Sequence, residues 1–90
     1  MKRTEIDNYI EYIESIIRRG TYSNNDIEKL NKMKNMFHLM KYLYVLDKYR
    51  ASLLMLKEIT NISDTLDSEI LRKEIYTGTN NLFFSIKSHI

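Results

Sequence analysis

The stretch from residue 21 to residue 77 contains neither glycine nor proline, and this feature most constrains how the chain can fold. The whole chain of 90 residues has no proline, and its two glycines are Gly20 and Gly78. Glycine and proline are the residues that most often interrupt helices. Their absence, together with apolar residues at helical spacing, predicts an all-α protein. We expect a small helical bundle of three to four helices in a single domain, residues 1–90.

Composition narrows the class of protein further. With 43% hydrophobic and 29% charged residues, the chain has the balance of a globular domain. It has no cysteine, which excludes disulfide bonds, thiolate metal ligands and cysteine nucleophiles. The many Ile, Lys, Asn and Tyr residues are typical of an AT-rich genome, such as that of a low-GC bacterium, its phages or plasmids, or an AT-rich virus. Among these sources we expect a phage or another mobile element to encode the protein.

Targeting and membrane segments are not expected. The basic residues 1–3 are followed by Glu5, Asp7 and Glu11, which interrupt any apolar run of an export signal. No stretch approaches the roughly 20 apolar residues of a membrane span. We therefore expect a cytoplasmic protein that does not bind a membrane.

The first predicted helix covers about residues 4–19. Its apolar residues recur every three or four positions and are Ile6, Tyr9, Ile10, Ile13, Ile16 and Ile17. Thr4, with Asp7 three residues later, forms a capping pattern at its start. Gly20 suits the left-handed conformation that ends many helices.

The second predicted helix is unusually long. Ser23 and Asp26 repeat the capping pattern, and no helix-breaking residue follows, so a helix is predicted over about residues 24–60. At roughly 1.5 Å per residue it would be about 55 Å long, whereas a compact domain of this size is roughly 25–30 Å across. One long central helix of this kind needs a further covering surface, and dimerisation could complete the bundle.

A third helix is predicted after this stretch. Ser63 or Thr65 can cap it, and its apolar residues have helical spacing over about residues 64–76. The sequence Thr-Gly-Thr-Asn-Asn at residues 77–81 consists of turn-forming residues, so an interruption is predicted there.

The tail is predicted as a short final helix, about residues 80–89. It places Phe83, Ile86 and Ile90 at helical spacing. Its composition also suits a strand, which is the alternative interpretation.

The predicted long helix is apolar on two faces. A broad set, expected to face the bundle, consists of Leu30, Met33, Met36, Phe37, Met40, Leu43, Tyr44, Ala51, Leu54 and Met55. A second set has alternating spacings of three and four, as in a coiled-coil seam: Leu39, Tyr42, Leu46, Tyr49, Leu53 and Leu56. This second set packs either on the third helix or against a protein partner or a second copy. Its two tyrosines favour an interface, since a tyrosine ring packs well while its hydroxyl needs water or a partner.

Basic residues form a possible nucleic-acid contact along the same predicted helix. Lys34, Lys41 and Lys48 are seven residues apart and would lie in one line on a continuous helix. The basic residues that could track a phosphate backbone are Lys34, His38, Lys41, Lys48, Arg18, Arg19 and Arg50. The solvated outer face of a helix explains the same residues, and the net charge is only +2. Nucleic acid is therefore the second choice of partner.

No motif for catalysis, cofactor binding or metal binding is present in the sequence. Two isolated glycines cannot form a glycine-rich phosphate loop. His38 and His89 are far apart in sequence and lack the spacing of metal ligands. No serine has the sequence context of a nucleophile. We expect a protein without enzymatic activity, cofactor or metal.

These observations favour a small protein that acts by stoichiometric binding to another protein. Inhibitor, immunity and regulatory proteins are of this type. The alternatives are a dimeric nucleic-acid-binding protein that uses the lysine stripe and a structural subunit of a helical assembly.

Overall fold

The computed structural model describes residues 4–90; the basic start of the chain, residues 1–3, lies outside this part. The described residues form four helices without a strand: α1 (Glu5–Arg19), α2 (Asn24–Val45), α3 (Tyr49–Ser63) and α4 (Glu69–Lys87). The predicted all-α bundle is confirmed, as is the preference for a helix over a strand in the tail.

Helix α1 begins and ends where its sequence predicts. Thr4 Oγ1 accepts a hydrogen bond from the Asp7 backbone N–H (3.2 Å), and the Thr4 backbone N–H donates to Asp7 Oδ2 (2.9 Å). This reciprocal pair satisfies two of the donors that a helix start leaves open. Gly20 ends the helix with a left-handed φ of 64°. The buried face of α1 consists of Ile6, Ile10, Ile13 and Ile16.

The predicted single helix over residues 24–60 is wrong, because the chain turns after Val45 and resumes as α3 at Tyr49. Helix α3 folds back along α2, and the buried Ser52 Oγ lies 3.4 Å from the carbonyl oxygen of Met40. The described part measures 36 × 24 × 17 Å. The turn therefore removes the conflict between a 24–60 helix and the size of a compact domain.

The turn between α2 and α3 is a Schellman motif without glycine. The backbone N–H of Lys48 donates to the carbonyl of Leu43 (3.0 Å), and that of Asp47 donates to the carbonyl of Tyr44 (3.0 Å). Asp47 has the left-handed φ of 60° that glycine usually supplies at this position. The helix end was missed in the sequence because aspartate takes the place of glycine.

The predicted helices 64–76 and 80–89 are a single helix, α4, and the predicted interruption at residues 77–81 is wrong. The helix starts at Glu69, where the Ser68 hydroxyl accepts from the Leu71 backbone N–H (3.2 Å). Neither Ser63 nor Thr65 caps this helix. Ser63 is instead the buried last residue of α3, and the Thr65 hydroxyl donates to the carbonyl of Ile62 (2.6 Å).

Gly78 allows close packing within α4 instead of interrupting it. The ring of Tyr9 from α1 lies over Gly78, where a β-carbon would overlap the ring atoms. The Tyr9 hydroxyl donates to the carbonyl of Ile75 (3.0 Å). The hydroxyls of Thr77 and Thr79 donate to carbonyls of α4 itself, so both polar side chains are satisfied within the continuous helix.

Short connections place successive helices antiparallel, as in an up-down-up-down bundle. The buried apolar core consists of Ile6, Ile10, Ile13, Ile16, Leu30, Met33, Phe37, Met40, Leu56, Ile59, Leu66, Leu71, Ile75, Leu82 and Ile86. Within α2, the broad apolar face predicted for the long helix is core at Leu30, Met33, Phe37 and Met40, whereas its other three members are half-buried. Leu54, predicted for the same face, is 68% exposed, because the turn at Asp47 gives α3 its own orientation.

A buried carboxylate joins the start of α2 to the start of α4. Asp26 is almost fully buried, and its two carboxylate oxygens accept from the backbone N–H groups of Asp67 (2.7 Å) and Ser68 (3.1 Å). A negative charge at a helix N-terminus is also favoured by the helix dipole. On the surface beside it, Asn25 Nδ2 donates to the Asp67 side chain (3.2 Å) and Lys29 Nζ to a carbonyl in the same loop (2.7 Å).

Candidate protein-docking groove

A groove with a volume of about 640 Å³ runs between α3 and α4. Its apolar lining consists of Leu53, Leu54, Leu56, Tyr76 and Phe83. Leu56 is buried at its base, whereas Leu54 and Tyr76 are 68% and 59% exposed. Contiguous exposed apolar surface of this kind marks interaction sites, since a single scattered apolar residue is ordinary on a protein surface. We call this feature the α3–α4 groove.

The two threonine hydroxyls that line the α3–α4 groove donate their protons within their own helices. Thr60 Oγ1 donates to the carbonyl of Leu56 (2.9 Å), and Thr79 Oγ1 donates to the carbonyl of Tyr76 (3.0 Å). The backbone groups along the groove also belong to helices. The other uncharged polar groups of the lining are the side-chain amides of Asn61 and Asn80 and the Tyr76 hydroxyl. The groove therefore offers mainly apolar contact, with a few side-chain hydrogen-bonding groups.

Positive charge lies along the edge of the α3–α4 groove. Arg50 and Lys57 line it and are exposed, and none of the lining residues is acidic. Within residues 4–90, neither Arg50 nor Lys57 forms an ion pair. At the Phe83 end, Lys87 Nζ lies 5.5 Å from the centre of the Phe83 ring. The groove thus combines an apolar interior with a cationic edge.

The structure does not bring the six residues of the predicted seam together on one face. Leu39, Tyr42 and Leu46 lie exposed on α2 and its C-cap, whereas Leu56 is part of the core. Leu53 lines the α3–α4 groove. Tyr49 belongs to an aromatic cluster described below. The seam is divided because the heptad spacing assumed one helix, and the turn at residues 46–48 separates its two halves.

A second exposed apolar surface remains on α2. It consists of Leu39, Tyr42, Val45 and Leu46, which are 44–61% exposed. Their spacing of three and four residues places them on one side of the helix end. We call this surface the α2 patch. It retains half of the predicted seam, but it is separate from the lining of the α3–α4 groove.

An aromatic cluster closes the end of the bundle where α2, α3 and the C-terminal turn meet. The Tyr49 ring stacks on the His89 ring with centroids 4.7 Å apart, and Tyr44 meets both rings edge-on. Tyr44 Oη and His89 Nε2 are 2.9 Å apart. The Tyr49 hydroxyl donates to Asp47 Oδ1 (2.8 Å), and this bond raises the pKa of Tyr49. Tyr49 and His89 thus have structural partners.

The predicted lysine stripe is not continuous. Lys34 lies half-buried and His38 exposed on α2, but Lys48 lies beyond the turn at the start of α3. Lys41 Nζ lies 2.5 Å from Asp7 Oδ1. This contact and the hydrogen bond from the Thr4 backbone lower the pKa of Asp7 to about 2. Lys41 therefore joins α2 to α1.

The two arginines at the end of α1 lie apart from this set. Both are exposed, and Arg18 Nη1 lies 3.8 Å from Glu14 Oε2. Basic side chains in the last turn of a helix also interact favourably with the negative end of the helix dipole. Binding of nucleic acid by these residues stays a prediction.

Groups that could carry chemistry are not clustered in the described part. No set of three or more His, Asp or Glu side chains within residues 4–90 is arranged to hold a metal ion. Burial raises the pKa of Tyr9 and of Tyr12, and a hydrogen bond from Tyr12 to Glu74 Oε2 (2.7 Å) adds to the effect at Tyr12. Both tyrosines hold α1 against α4 as hydrogen-bond donors. None of the helices in residues 4–90 has the length and apolar character to cross a membrane.

Sequence reasoning identified Leu53, Leu56 and Arg50 as site residues but missed the α3–α4 groove as a unit. Four consecutive apolar residues, 53–56, indicate that α3 has more apolar surface than one buried face needs. Tyr76 and Phe83 lie on opposite sides of the interruption that was predicted at residues 77–81. No pattern in the linear sequence could pair them with α3.

Three comparisons with known proteins identified no relative of this chain. No protein-family model matches the chain, and no curated protein and no solved structure shows significant similarity to it.

Proposed function

We propose that this protein acts by stoichiometric binding to another protein and that the α3–α4 groove is its docking site. The observation that carries the proposal is the exposure of Leu54 and Tyr76 on either side of a continuous apolar groove. Burial of apolar surface is the main favourable term in protein association. Exposing these side chains to water in the free protein is unfavourable, and a partner that covers them would remove that cost. Inhibitor, immunity or regulatory action in the cytoplasm fits such a mode of binding.

The proposal is tested by site-specific photo-crosslinking in cells that naturally express the protein. Benzoylphenylalanine replaces Leu54 in the groove or, as a matched control, Ile70, which is 71% exposed on α4 and lies outside the groove lining. We expect one defined heavier conjugate from position 54 and none from position 70. Adding Tyr76→Glu to the position-54 protein should abolish the conjugate. Equal labelling from both positions, or no conjugate at position 54, contradicts the proposal.

A structural role through self-association is a second candidate, and the α2 patch favours it. Leu39, Tyr42, Val45 and Leu46 contain no charged group, so two copies could bring these surfaces together without charge repulsion. If this candidate holds, light scattering gives a dimer that Leu46→Glu converts to a folded monomer. Leu54→Glu, in the α3–α4 groove, should leave such a dimer intact.

A further inference from the structure

The shape of the α3–α4 groove restricts what can occupy it. Its lining on α3 runs from Arg50 to Asn61, which is about 16 Å at roughly 1.5 Å per residue. The walls are two helices, and a third helix packs its side-chain ridges into such a groove. About three turns of helix match this length.

Hydrogen-bonding capacity distinguishes a helical occupant from an extended one. An extended peptide leaves its backbone groups open and relies on a partner's strand edge to satisfy them. The α3–α4 groove has no strand edge, because its walls are helices. The hydroxyl protons of Thr60 and Thr79 are used within their own helices. The side chains of Asn61, Tyr76 and Asn80 are the other uncharged polar groups of the lining, and they are too few to pair the whole backbone of an extended peptide. A helix satisfies its backbone internally, so it suits this surface.

Charge indicates what should flank the apolar face of that helix. Arg50 and Lys57 line the α3–α4 groove without a carboxylate partner in residues 4–90, and no lining residue is acidic. Lys87 adds a third positive charge beside Phe83. Acidic side chains on the occupant would pair with these cations, whereas basic ones would be repelled.

The same charges argue against a second copy as the occupant. In a two-fold dimer the same surface of both subunits meets, so two α3–α4 grooves would place their cationic edges together. Like charges brought together across an interface are unfavourable. A different protein with an acidic surface has no such conflict.

We infer that the occupant of the α3–α4 groove is an amphipathic helix of another protein, about three turns long, with an apolar stripe flanked by Asp or Glu. This inference rests on the function proposed above. It adds the chemical class of the partner: an acidic helix.

The test uses a displayed library of helical peptides about 14 residues long, with leucines at helical spacing. The flanking positions are randomised among Glu, Gln and Lys. Selection is made on the full chain and, for comparison, on Leu54→Glu and on Tyr76→Glu. Both substituted side chains are mostly exposed, so the variants should fold, which far-UV circular dichroism verifies.

We expect peptides with acidic flanks to be enriched on the unmodified protein and lost on both groove variants. Their Kd, measured by fluorescence anisotropy, should rise about tenfold with Arg50→Glu/Lys57→Glu, which is about 1.4 kcal/mol. Arg18→Glu/Arg19→Glu makes the same change of charge away from the groove and should leave Kd within about twofold.

Three other results would overturn the inference, and they can be told apart. Enrichment of neutral or basic peptides that depend on Leu54 refutes the acidic helix but leaves the docking function standing. No enrichment above that on Leu54→Glu refutes both the acidic helix and the docking function. A dimer in light scattering that Leu54→Glu dissociates assigns the groove to a second copy.

Discussion

The ring of Tyr9 in α1 lies directly over Gly78 in α4 and leaves no room for a β-carbon at residue 78. The Tyr9 hydroxyl donates to the carbonyl oxygen of Ile75 in the same helix (3.0 Å). The ring also packs on Phe37 of α2, with centroids 5.0 Å apart. One aromatic side chain thus joins three helices, and the contact depends on the missing side chain of Gly78.

Gly78→Ala should destabilise the protein by about 1–3 kcal/mol, because the added methyl group forces the Tyr9 ring out of its position. In an unhindered helix interior the same substitution would stabilise by about 1 kcal/mol. Urea denaturation followed by circular dichroism measures the difference. A higher urea midpoint for Gly78→Ala would show that Tyr9 does not occupy this space.

The Tyr9→Ala background provides the control for this substitution. Without the ring, Gly78→Ala should raise the free energy of unfolding, as helix propensity alone predicts. The sign of the substitution should therefore reverse between the two backgrounds. This reversal is a coupling energy between residues 9 and 78 and cannot arise from propensity.

Asp26→Asn should lower the free energy of unfolding by about 1–3 kcal/mol, since an NH2 group, which is a donor, would replace one of the two oxygens that accept from the Asp67 and Ser68 N–H groups. Hydrogen exchange at the Asp67 and Ser68 amides should become faster. Asp64→Asn is the matched control, because Asp64 lies exposed in the same connection. A change within about 0.5 kcal/mol is expected there. Equal effects of the two substitutions would contradict the role of Asp26.

Asp7 should make stability depend on pH between about 4 and 2. Its pKa falls from 3.8 to about 2 in the folded protein, chiefly through Lys41. A carboxylate with a lowered pKa stabilises the fold above its unfolded pKa, and this contribution is lost as the pH falls through its folded pKa. Asp7→Asn should therefore cost about 1 kcal/mol at pH 7, a value reduced for partial solvent exposure, and only a small fraction of that at pH 2, where half of the folded carboxylates are protonated.

The comparison for Asp7 uses Glu58→Gln, which removes a carboxylate from an exposed position on α3. Urea midpoints at several pH values give the difference between each variant and the unmodified protein. For Glu58→Gln this difference should stay small throughout. A difference in urea midpoint between Asp7→Asn and the unmodified protein that is as large at pH 2 as at pH 7 would mean that the charge of Asp7 is not the cause.

Asp47 should tolerate glycine but not valine. A residue with a β-carbon pays a steric cost of about 1–2 kcal/mol in the left-handed conformation, and glycine avoids this cost. The saving offsets the larger conformational entropy that glycine loses on folding, which is about 0.5–1 kcal/mol. Valine cannot easily adopt this φ, so Asp47→Val should be less stable than Asp47→Gly by at least about 1 kcal/mol. Both substitutions remove the hydrogen bond that the Tyr49 hydroxyl donates to Asp47. The difference in stability between the two variants therefore reports the cost of the left-handed backbone. Equal urea midpoints would argue against a strained turn.

Much of the α3–α4 groove was out of reach of sequence reasoning. Leu53 and Arg50 were recognised as surface candidates, but Leu54 was assigned to the core and Tyr76 and Phe83 to separate elements. A groove between two helices depends on their relative rotation. The rotation of α3 depends on the residue at which the preceding turn ends. The sequence did not indicate the turn at Asp47, because it contains neither glycine nor proline there.

The sequence by itself determined the helical class and the whole of α1, because capping and apolar spacing act within a few residues. Thr4, Asp7 and Gly20 mark the ends of α1 through contacts with their immediate neighbours. Tertiary structure decided the rest. The chain folds back at Asp47 because α3 can then bury Leu56 and Ile59 in the core, where one continuous helix could not. Helix α4 continues through Gly78, despite weak helix formers on both sides, because Tyr9 packs where a side chain would otherwise stand.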